Sequence, residues 1–421
     1  MKRILRRTAL LVAGALMLLV GAPTAGATFP GSNGRIAFES SQSGTSQIYT
    51  MDPDGSNVVR LTNSAGEDHA PSWSPNGAIV VFDRTTDAGA DMYSINADGT
   101  GERRLTTTAV ASVGTWSPDG SRIAFTQSNG PNGQMDIFTM NADGSNVVNV
   151  TNALLASEDK PSWSPNGARL AFMSNRTGVT QIFTANADGS GVTQLTTDLQ
   201  GDNEDPDWSP DGSRIAFMSN RDSASLGTYF QIYTMDAAGG GAVRVSSEPL
   251  DAELPSWSPD GTKLLFTSLF ATGMSIVVTN VDGSGRSEIA SGLASPFPHW
   301  QPIPTPYRFA GYFAPVENLP TVNVANAGRA IPIKFSLGGD RGTSIFAAGS
   351  PSSQRVACDN GAPLSMVTET ATPGASTLSY DAVTGRYTYV WKTDVAWAGT
   401  CRQFVLTLAD GTSHPASFRF K

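Results

Sequence analysis

The sequence predicts an all-β protein, a six-bladed β-propeller followed by an Ig-like β-sandwich domain. A Trp-centred segment recurs at intervals of 43, 47, 45, 49 and 43 residues, within the range of a four-stranded propeller blade. The 421 residues include 43 Gly and 26 Pro and are only 15% charged, a composition typical of short strands joined by tight turns. The repeat stops at a Pro-rich break, QPIPTP at 301–306, which predicts a linker to a second domain.

The first 27 residues are expected to be a secretory signal peptide. Arg3 and Arg6 belong to a basic start, Ala9 to Ala22 is an apolar run, and Ala25-Gly26-Ala27 is a small-residue exit site. The run is shorter than the roughly 20 apolar residues that a membrane anchor needs. We therefore expect an exported protein with no transmembrane segment after removal of the signal peptide.

Residues 28–304 carry the predicted propeller, in which each repeat has the same parts in the same order. A Trp-Ser-Pro-Asp/Asn-Gly turn is followed by an apolar segment such as RIAF (122–125), a variable loop, a second segment such as QIYT (47–50), and an Asp-Gly turn. Apolar segments of this length, rich in Ile, Phe and Tyr, favour β-strands. Asp-Gly and Asn-Gly pairs provide the positive φ angles that tight hairpins require.

The two ends of the repeat array are complementary. The first repeat begins near Thr28 without a Trp strand, whereas PHW at 298–300 is left over at the other end. We expect this last strand to complete the first blade, because the sharing would remove an open sheet edge and close the ring.

The repeated residues resemble the TolB-like (WD-type) propeller family. The resemblance covers about 28–304 and rests on the Trp-Ser-Pro-Asp-Gly turn, the Ile-Ala-Phe strand, the Tyr or Phe strand and the Asp-Gly turn. It implies a six-bladed propeller in a bacterial protein that is secreted or resides at the cell surface or in the periplasm. Propellers carry unrelated activities, so the resemblance is specific for fold rather than for function.

Residues 305–421 are expected to form the Ig-like β-sandwich. IPIKF, YVWKT and WAGTCRQFVLTLADGT resemble the bacterial PxKF domain, which is named for the residues found here as Pro332, Lys334 and Phe335. The resemblance implies an exported protein and assigns no activity. Trp391 and Trp397 are most simply core residues, with a ligand role as the alternative.

The chain contains two cysteines, Cys358 and Cys401. In an exported protein such an isolated pair predicts a disulfide.

Charge is divided unevenly between the two predicted domains. Residues 28–304 hold 30 acidic and 14 basic residues, a formal net charge of −16, whereas 305–421 hold 7 acidic and 10 basic residues, a net charge of +3. So acidic a body repels nucleic acid and favours cations or basic partners. We expect no nucleic-acid partner.

The sequence carries no familiar catalytic motif. It has no G-x-S-x-G, no H-E-x-x-H and no phosphate-binding G-x-x-x-x-G-K-[ST] segment. His69 and His299 lead into inner strands of blades that should be neighbours, offset by roughly 10 Å along the strands. Polar loop and strand roles are the simpler interpretation; a shared metal would imply a lyase. Whether the protein is an enzyme is left open, with a binding role favoured.

Candidate binding residues cluster just before the inner strands. Because strands alternate in direction, these positions and the variable loops share one face, opposite the regular turns. This arrangement favours the loop-bearing face as the binding face. The candidates are Glu67, Asp68, His69, Glu158, Asp159, Glu204, Asp205, Asp251 and Glu253. They predict a carboxylate-rimmed channel mouth, with solvated loop charges as the alternative. Calcium is a possible ligand because it accepts several carboxylate and carbonyl oxygens in flexible geometry.

The hypothesis is an exported bacterial binding protein whose propeller recognises a protein, a peptide or a cell-envelope component through its channel and variable-loop face. The alternative is a secreted polysaccharide lyase or hydrolase with its site in the channel. Converging His, Arg and carboxylates would favour the enzyme, whereas scattered acids would favour binding.

Overall fold

The computed structural model describes residues 31–421 except 130–132, 154, 198–200, 223–228, 272, 305–306, 339–344, 347–349, 360, 365–368, 371–377, 409 and 411. The predicted signal peptide, 1–27, lies outside the described residues. The described part has 33 strands and one 3-10 turn, Val395–Trp397, which confirms the all-β prediction. Within it, no helix is long and apolar enough to cross a membrane.

In the described part of 31–304, the strands form six four-stranded sheets, numbered sheet 1 to sheet 6 in chain order. The inner strands of sheets 1 to 6 are β24 (His299–Pro304), β4 (Glu67–Trp73), β8 (Ala111–Trp116), β12 (Glu158–Trp163), β16 (Asn203–Trp208) and β20 (Ala252–Trp257). The second strands are β1 (Gly31–Ser40), β5 (Ile79–Thr86), β9 (Arg122–Ser128), β13 (Arg169–Ser174), β17 (Arg214–Ser219) and β21 (Lys263–Phe270).

The third and outer strands complete each sheet. The third strands are β2 (Gln47–Met51), β6 (Gly89–Asn96), β10 (Met135–Asn141), β14 (Gln181–Asn186), β18 (Gln231–Asp236) and β22 (Gly273–Asn280). The outer strands are β3 (Val59–Arg60), β7 (Arg103–Arg104), β11 (Val148–Asn149), β15 (Thr193–Gln194), β19 (Val243–Arg244) and β23 (Ser287–Leu293). Neighbouring strands within each sheet are antiparallel.

The sheets pack face to face, each through its repeated Trp. Trp300, for example, lies between Ile36 of its own sheet and Leu265 and Ile276 of sheet 6. All six repeated Trp side chains are between 1% and 9% exposed, each in an apolar cluster shared with the preceding sheet. Because sheet 6 packs on sheet 1 in the same way, the sheets form a closed ring around a central channel.

The repeated turn forms one end of the ring, called here the turn face; the opposite end is the loop face. In sheet 3 the Asp119 carboxylate accepts hydrogen bonds from the Ser117 hydroxyl (2.6 Å) and the Ser121 amide (3.0 Å). Gly120 has a φ of +68°, which favours glycine. A Cβ atom at this position would lie 3.9 Å from the Pro75 ring in the turn of sheet 2, so the two turns are in contact. The recurrence of the motif is therefore structural: each turn packs on the one before it.

The ring is closed by β24, which pairs with β1 from Gly31↔Pro304 to Ala37↔His299. The chain's first and last propeller segments therefore share sheet 1, as predicted. Gln301 reinforces the join, since its Nε2 donates to the Gly77 carbonyl of sheet 2 at 2.7 Å. Asn33 and Asp260 join sheets 1 and 6 by hydrogen bonds of 3.0 and 3.2 Å.

Ending the chain after Pro296 should open the ring, because it removes β24 and exposes the edge of β1. An unpaired edge of this kind promotes association between chains. We expect aggregation and loss of a cooperative unfolding transition, measured by light scattering and calorimetry. A chain ending after Thr305 is the control and should stay monodisperse; equal behaviour of the two would contradict a structural role for β24.

Beyond the propeller, the described residues of 307–421 form two further sheets around one core. The first has the order β25-β27-β31-β30 and the second β26-β33-β32-β28-β29. The strands are β25 (Tyr312–Phe313), β26 (Val322–Ala325), β27 (Ala330–Phe335), β28 (Ser352–Val356), β29 (Glu369–Thr370), β30 (Leu378–Asp381), β31 (Arg386–Lys392), β32 (Cys401–Thr407) and β33 (Ser413–Phe420).

Aromatic side chains from both sheets fill this core. Phe335 and Trp391 of the first sheet and Phe404 and Phe418 of the second are at most 1% exposed. Trp391 is thus a core residue, as predicted. Trp397 is only partly buried and packs at its edge, with the Arg402 guanidinium 3.9 Å from its ring centroid.

The predicted disulfide joins Cys358 to Cys401, whose Cα atoms are 5.2 Å apart. It ties the segment after β28 to the start of β32. On the chain-entropy account, a bridge across about 40 residues stabilises a fold by roughly 4 kcal/mol.

Cys401→Ala should therefore lower the melting temperature of the 305–421 domain and leave the propeller transition in place. Differential scanning calorimetry of the full chain would separate the two transitions. Wild-type protein under reducing conditions is the matched control and should show the same selective loss. A shift of both transitions together would show that the bridge stabilises more than its own domain.

Candidate functional site

The inner strands share a backbone irregularity that faces the channel. In sheets 2 to 6 the pairing of the inner with the second strand shifts register before each Trp. The residue three positions before each repeated Trp has a left-handed backbone, with φ between 36° and 57°. These residues are Ala70, Val113, Lys160, Asp205, Leu254 and Phe297. Non-glycine residues adopt such angles at a cost of about 1–3 kcal/mol and mostly where the surrounding structure imposes them. Bulges of this kind redirect side chains.

Lys160 crosses the channel at this level. Its ammonium nitrogen lies 3.8 Å from Asp205 Oδ1 of sheet 5 and 4.6 Å from the ring centroid of Phe297, which precedes the inner strand of sheet 1. Sheet 1 is three sheets away from sheet 4 in either direction around the ring. The side chain of Lys160 therefore spans the channel, and it is 19% exposed.

Carboxylates from five sheets surround this lysine. The ammonium group of Lys160 is attracted electrostatically by the carboxylates of Asp205, Asp159, Asp83 and Glu39. Glu204 and Glu253 are attracted to Lys160 and repelled by Asp205. Two of them hold the bulges in place: Glu39 accepts from the Ala70 amide and Asp83 from the Val113 amide, each at 3.2 Å. Asp159 accepts from the Thr126 hydroxyl at 2.6 Å.

Burial and mutual repulsion keep several of these acids from ionising normally. Burial, with the charges of Asp205 and Asp202, raises the pKa of Glu204 to about 7. Burial raises the pKa of Asp83 to about 6 and also raises those of Asp205 and Glu253.

Among the residues that the structure describes, Lys160 and His69 are the basic side chains that interact with this cluster. Burial alone would lower the pKa of Lys160, but the surrounding acids outweigh it and the pKa is raised. The hydrogen bond from His69 to Glu39 raises the pKa of His69. The acids thus outnumber the bases, and the cluster is short of positive charge.

Two of the predicted site acids are neutralised within their own sheets. Asp68 is fully buried and accepts from the Arg84 guanidinium at 2.6 and 3.1 Å, while Arg84 also binds Glu102. Glu158 is fully buried against Arg176. Each arginine also lies over aromatic rings of its sheet. These paired acids brace the fold and leave little net charge for a ligand.

The other predicted residues divide between the rim and the channel. Glu67 is exposed and lies 3.8 Å from His69 Nε2, and Asp251 accepts from the Phe230 amide at 2.7 Å. Asp159, Glu204, Asp205, His69 and Glu253 take part in the cluster around Lys160.

His299 lies on the turn-face side of this cluster, in a belt that links neighbouring inner strands. Its Nδ1 accepts from the Trp73 amide at 3.4 Å, and burial lowers its pKa to about 4. Asp207 accepts from the Trp257 amide at 2.8 Å, and burial raises its pKa to about 6. A small cavity at this end is lined by Thr115, Ser162, Asp207, Ser256 and His299 together with Trp and Pro side chains. His69 and His299 therefore have separate partners.

The part of the chain that the structure describes contains no assembled metal site. Among those residues, no three His, Cys, Asp or Glu side chains are grouped so that they could hold an ion. The six acids around Lys160 come from five sheets, and several already accept hydrogen bonds from protein donors.

Sequence reasoning missed Lys160, Phe297, Glu39 and Asp83. A signal for them was present in the repeat itself. Lys160 and Phe297 stand three positions before a repeated Trp, the position that faces the channel. Glu39 and Asp83 directly follow the repeated Phe of the second strand, where sheets 4 and 5 carry Met173 and Met218.

Comparisons with known proteins agree with this architecture. The family model described as the TolB beta propeller domain matches residues 61–159 and 154–322. The chain belongs to this family. The match extends past β24 and ends at Val322, the first residue of β26.

Individual TolB proteins match over shorter spans. The Tol-Pal system protein TolB 1 of Novosphingobium aromaticivorans is 39% identical over 77 residues, 18% of this chain and 17% of that protein. The TolB of Rhizorhabdus wittichii is 38% identical over 73 residues, 17% of this chain and 16% of that protein. The matches thus span less than a fifth of these TolB relatives.

A solved TolB structure extends the likeness to about two thirds of the chain. The crystal structure of TolB from Acinetobacter baumannii superimposes with a TM-score of 0.56 at 22% identity, over 64% of this chain and 67% of that one. At this identity the likeness is one of fold.

Replacing Glu204 by Gln should stabilise the propeller at high pH. The pKa of the Glu204 carboxyl is about 7 in the folded protein and 4.5 in the unfolded reference. The folded state therefore binds this proton more tightly, and the carboxyl lowers the free energy of unfolding as pH rises from about 4.5 to 7. Each unit corresponds to about 1.4 kcal/mol, and discounting for partial solvent contact leaves a gain of about 1–2 kcal/mol at pH 8. Chemical denaturation at pH 5 and pH 8 would measure it, with a smaller gain at pH 5.

Glu102→Gln is the matched control. Its hydrogen bond to Arg84 lowers the pKa of Glu102, so its stabilising contribution is already present at pH 5. We expect a loss of stability of similar size at both pH values. An equal gain for Glu204→Gln at both pH values would contradict the assigned titration.

Proposed function

We propose that this protein is an exported bacterial binding protein whose propeller recognises a protein, a peptide or a cell-envelope component through its channel and loop face. The carrying observation is the carboxylate cluster around Lys160, in which Glu39, Asp83, Asp159, Asp205 and their neighbours exceed the available cations. A buried negative surplus attracts positively charged groups of a partner.

Family membership supports the same role. The curated relatives are named as TolB proteins of the Tol-Pal system. We infer from them a periplasmic or cell-surface location, delivered by the signal peptide over 1–27. The six sheets support a six-bladed ring over 28–304. The two-sheet core of 305–421 supports an Ig-like, PxKF-type sandwich, for which we propose no activity.

The polysaccharide lyase or hydrolase is the less favoured candidate. Such an enzyme would need a converging catalytic set, but within the described residues His69 is bound to Glu39 and His299 to the Trp73 amide. Arg84 and Arg176 are committed to Asp68 and Glu158. Calcium remains a candidate ligand, and it would have to displace the existing contacts of the cluster.

The test uses a lysine-rich peptide and calcium as separate probes. Calorimetric titration of the full chain should give a peptide affinity that falls about tenfold in a Glu204→Gln, Asp205→Asn double variant, the scale expected for charge pairs at a partly desolvated interface. Asp54→Asn, Asp98→Asn is the control, because it removes two exposed acids from the turn face with the same change in formal charge.

Equal peptide affinity in the two double variants would remove the cluster from the binding site. Heat uptake with calcium alone, lost only in the channel variant, would instead assign the cluster to a metal. Absence of binding by wild type at high and low salt would contradict a basic peptide as the partner.

A further inference from the structure

We propose that the channel contains a subsite for one organic ammonium group, and that Lys160 fills it from within the chain. The proposal rests on the proposed function, because it specifies which chemical group of a partner would enter the channel. It makes Lys160 a tethered occupant that an incoming ligand must displace.

The first argument is the arrangement of groups around the ammonium. Phe297 presents its ring at 4.6 Å and Asp205 its carboxylate at 3.8 Å. An aromatic ring combined with a carboxylate is the arrangement that favours organic cations, because the ring quadrupole and the negative charge both attract an ammonium group. A divalent metal would require several oxygen ligands at about 2.3–2.6 Å instead.

The second argument is that Asp205 is left incompletely satisfied. The residue is 9% exposed, and its Oδ1, which faces Lys160, has no hydrogen-bond partner. Its distance of 3.8 Å from the Lys160 nitrogen exceeds normal hydrogen-bond length. A buried carboxylate oxygen without a donor is unfavourable, so this atom favours a closer cationic donor than Lys160 supplies.

The third argument concerns how Lys160 is held. Its backbone is left-handed, with φ of 56°, so its side chain is directed into the channel by the bulge rather than by a rotamer choice alone. Charges from Asp205, Asp159, Asp83 and Glu39 attract it from several sides. An ammonium held by a field and by a ring, on a flexible four-carbon stem, can withdraw when another cation competes.

The ligand class follows from this geometry. The site accommodates one compact ammonium group on an apolar stem, such as a lysine side chain or the terminal amine of a peptide that enters from the loop face. While Lys160 occupies the site, the apparent affinity for such a ligand is reduced by the fraction of molecules in which the site is vacant.

Removing the tethered occupant should therefore create a measurable binding site. Lys160→Ala deletes three carbons and the ammonium, so n-propylammonium is the fragment that replaces them. Calorimetric titration of the full chain should show n-propylammonium binding at least about tenfold more tightly to Lys160→Ala than to wild type. Adding Asp205→Asn to that variant should abolish the gain.

Lys263→Ala is the matched control. Lys263 lies in β21, with its ammonium 3.1 Å from Asn280 Oδ1, and its removal changes the net charge equally. It should bind n-propylammonium no better than wild type. Equal affinity of all three proteins would overturn the proposal. An equal gain in both alanine variants would also overturn it, because the response would then reflect net charge alone.

Lys160→Met tests the subsite without opening a large cavity. Methionine retains the stem, so this variant should bind the ammonium ion and exclude n-propylammonium. Binding of both probes, or of neither, in a folded Lys160→Met protein would contradict the assigned geometry.

The outcomes separate this proposal from the proposed function. Rescue of Lys160→Ala by n-propylammonium with no peptide binding would leave the subsite in place and remove the peptide partner. Peptide binding that is equally tight in wild type and Lys160→Ala would keep the partner but show that it does not compete with Lys160.

Discussion

Burial of the repeated Trp against the preceding sheet is the interaction on which the rest of the structure depends. A four-stranded sheet of short strands has two apolar faces and cannot bury both alone. Each Trp fills the space between its own sheet and its neighbour, and truncating such a side chain costs about 3–5 kcal/mol. Every sheet contributes one Trp and also packs against the Trp of the next sheet. No apolar face is left exposed only when the last sheet packs on the first.

That requirement accounts for features that look unrelated in the sequence. The Trp strand missing from the first repeat and the extra one at the end become a single sheet, β24-β1-β2-β3. Gly120 with its positive φ and Pro75 in the neighbouring turn let successive turns touch at one end of the ring. The turn face is thereby uniform, and variation is left to the loops and to the residues that point into the channel.

In the channel the constraint is electrostatic, because charged side chains are buried close together there. The bulged inner strands bring side chains from several sheets close together, where they are buried and like charges repel. Paired acids such as Asp68 with Arg84 resolve this cost locally, whereas Asp205 and Glu204 do so only in part, through Lys160 and elevated pKa values.

The sequence by itself determined the all-β class, the Trp repeat, the order of strands, the shared first sheet and the Cys358–Cys401 bridge. These follow from local periodicity, turn residues and spacing, which are written in short stretches of chain. It also placed acids before the inner strands. Only the tertiary structure decided which of them are paired with a cation at close range: Asp68 lies directly opposite Arg84 across a hairpin, whereas Asp205 lies 3.8 Å from Lys160 of the preceding sheet. Lys160 and Phe297 come together because the ring closes, and no local pattern encodes a contact across a channel whose width is set by the packing of every sheet.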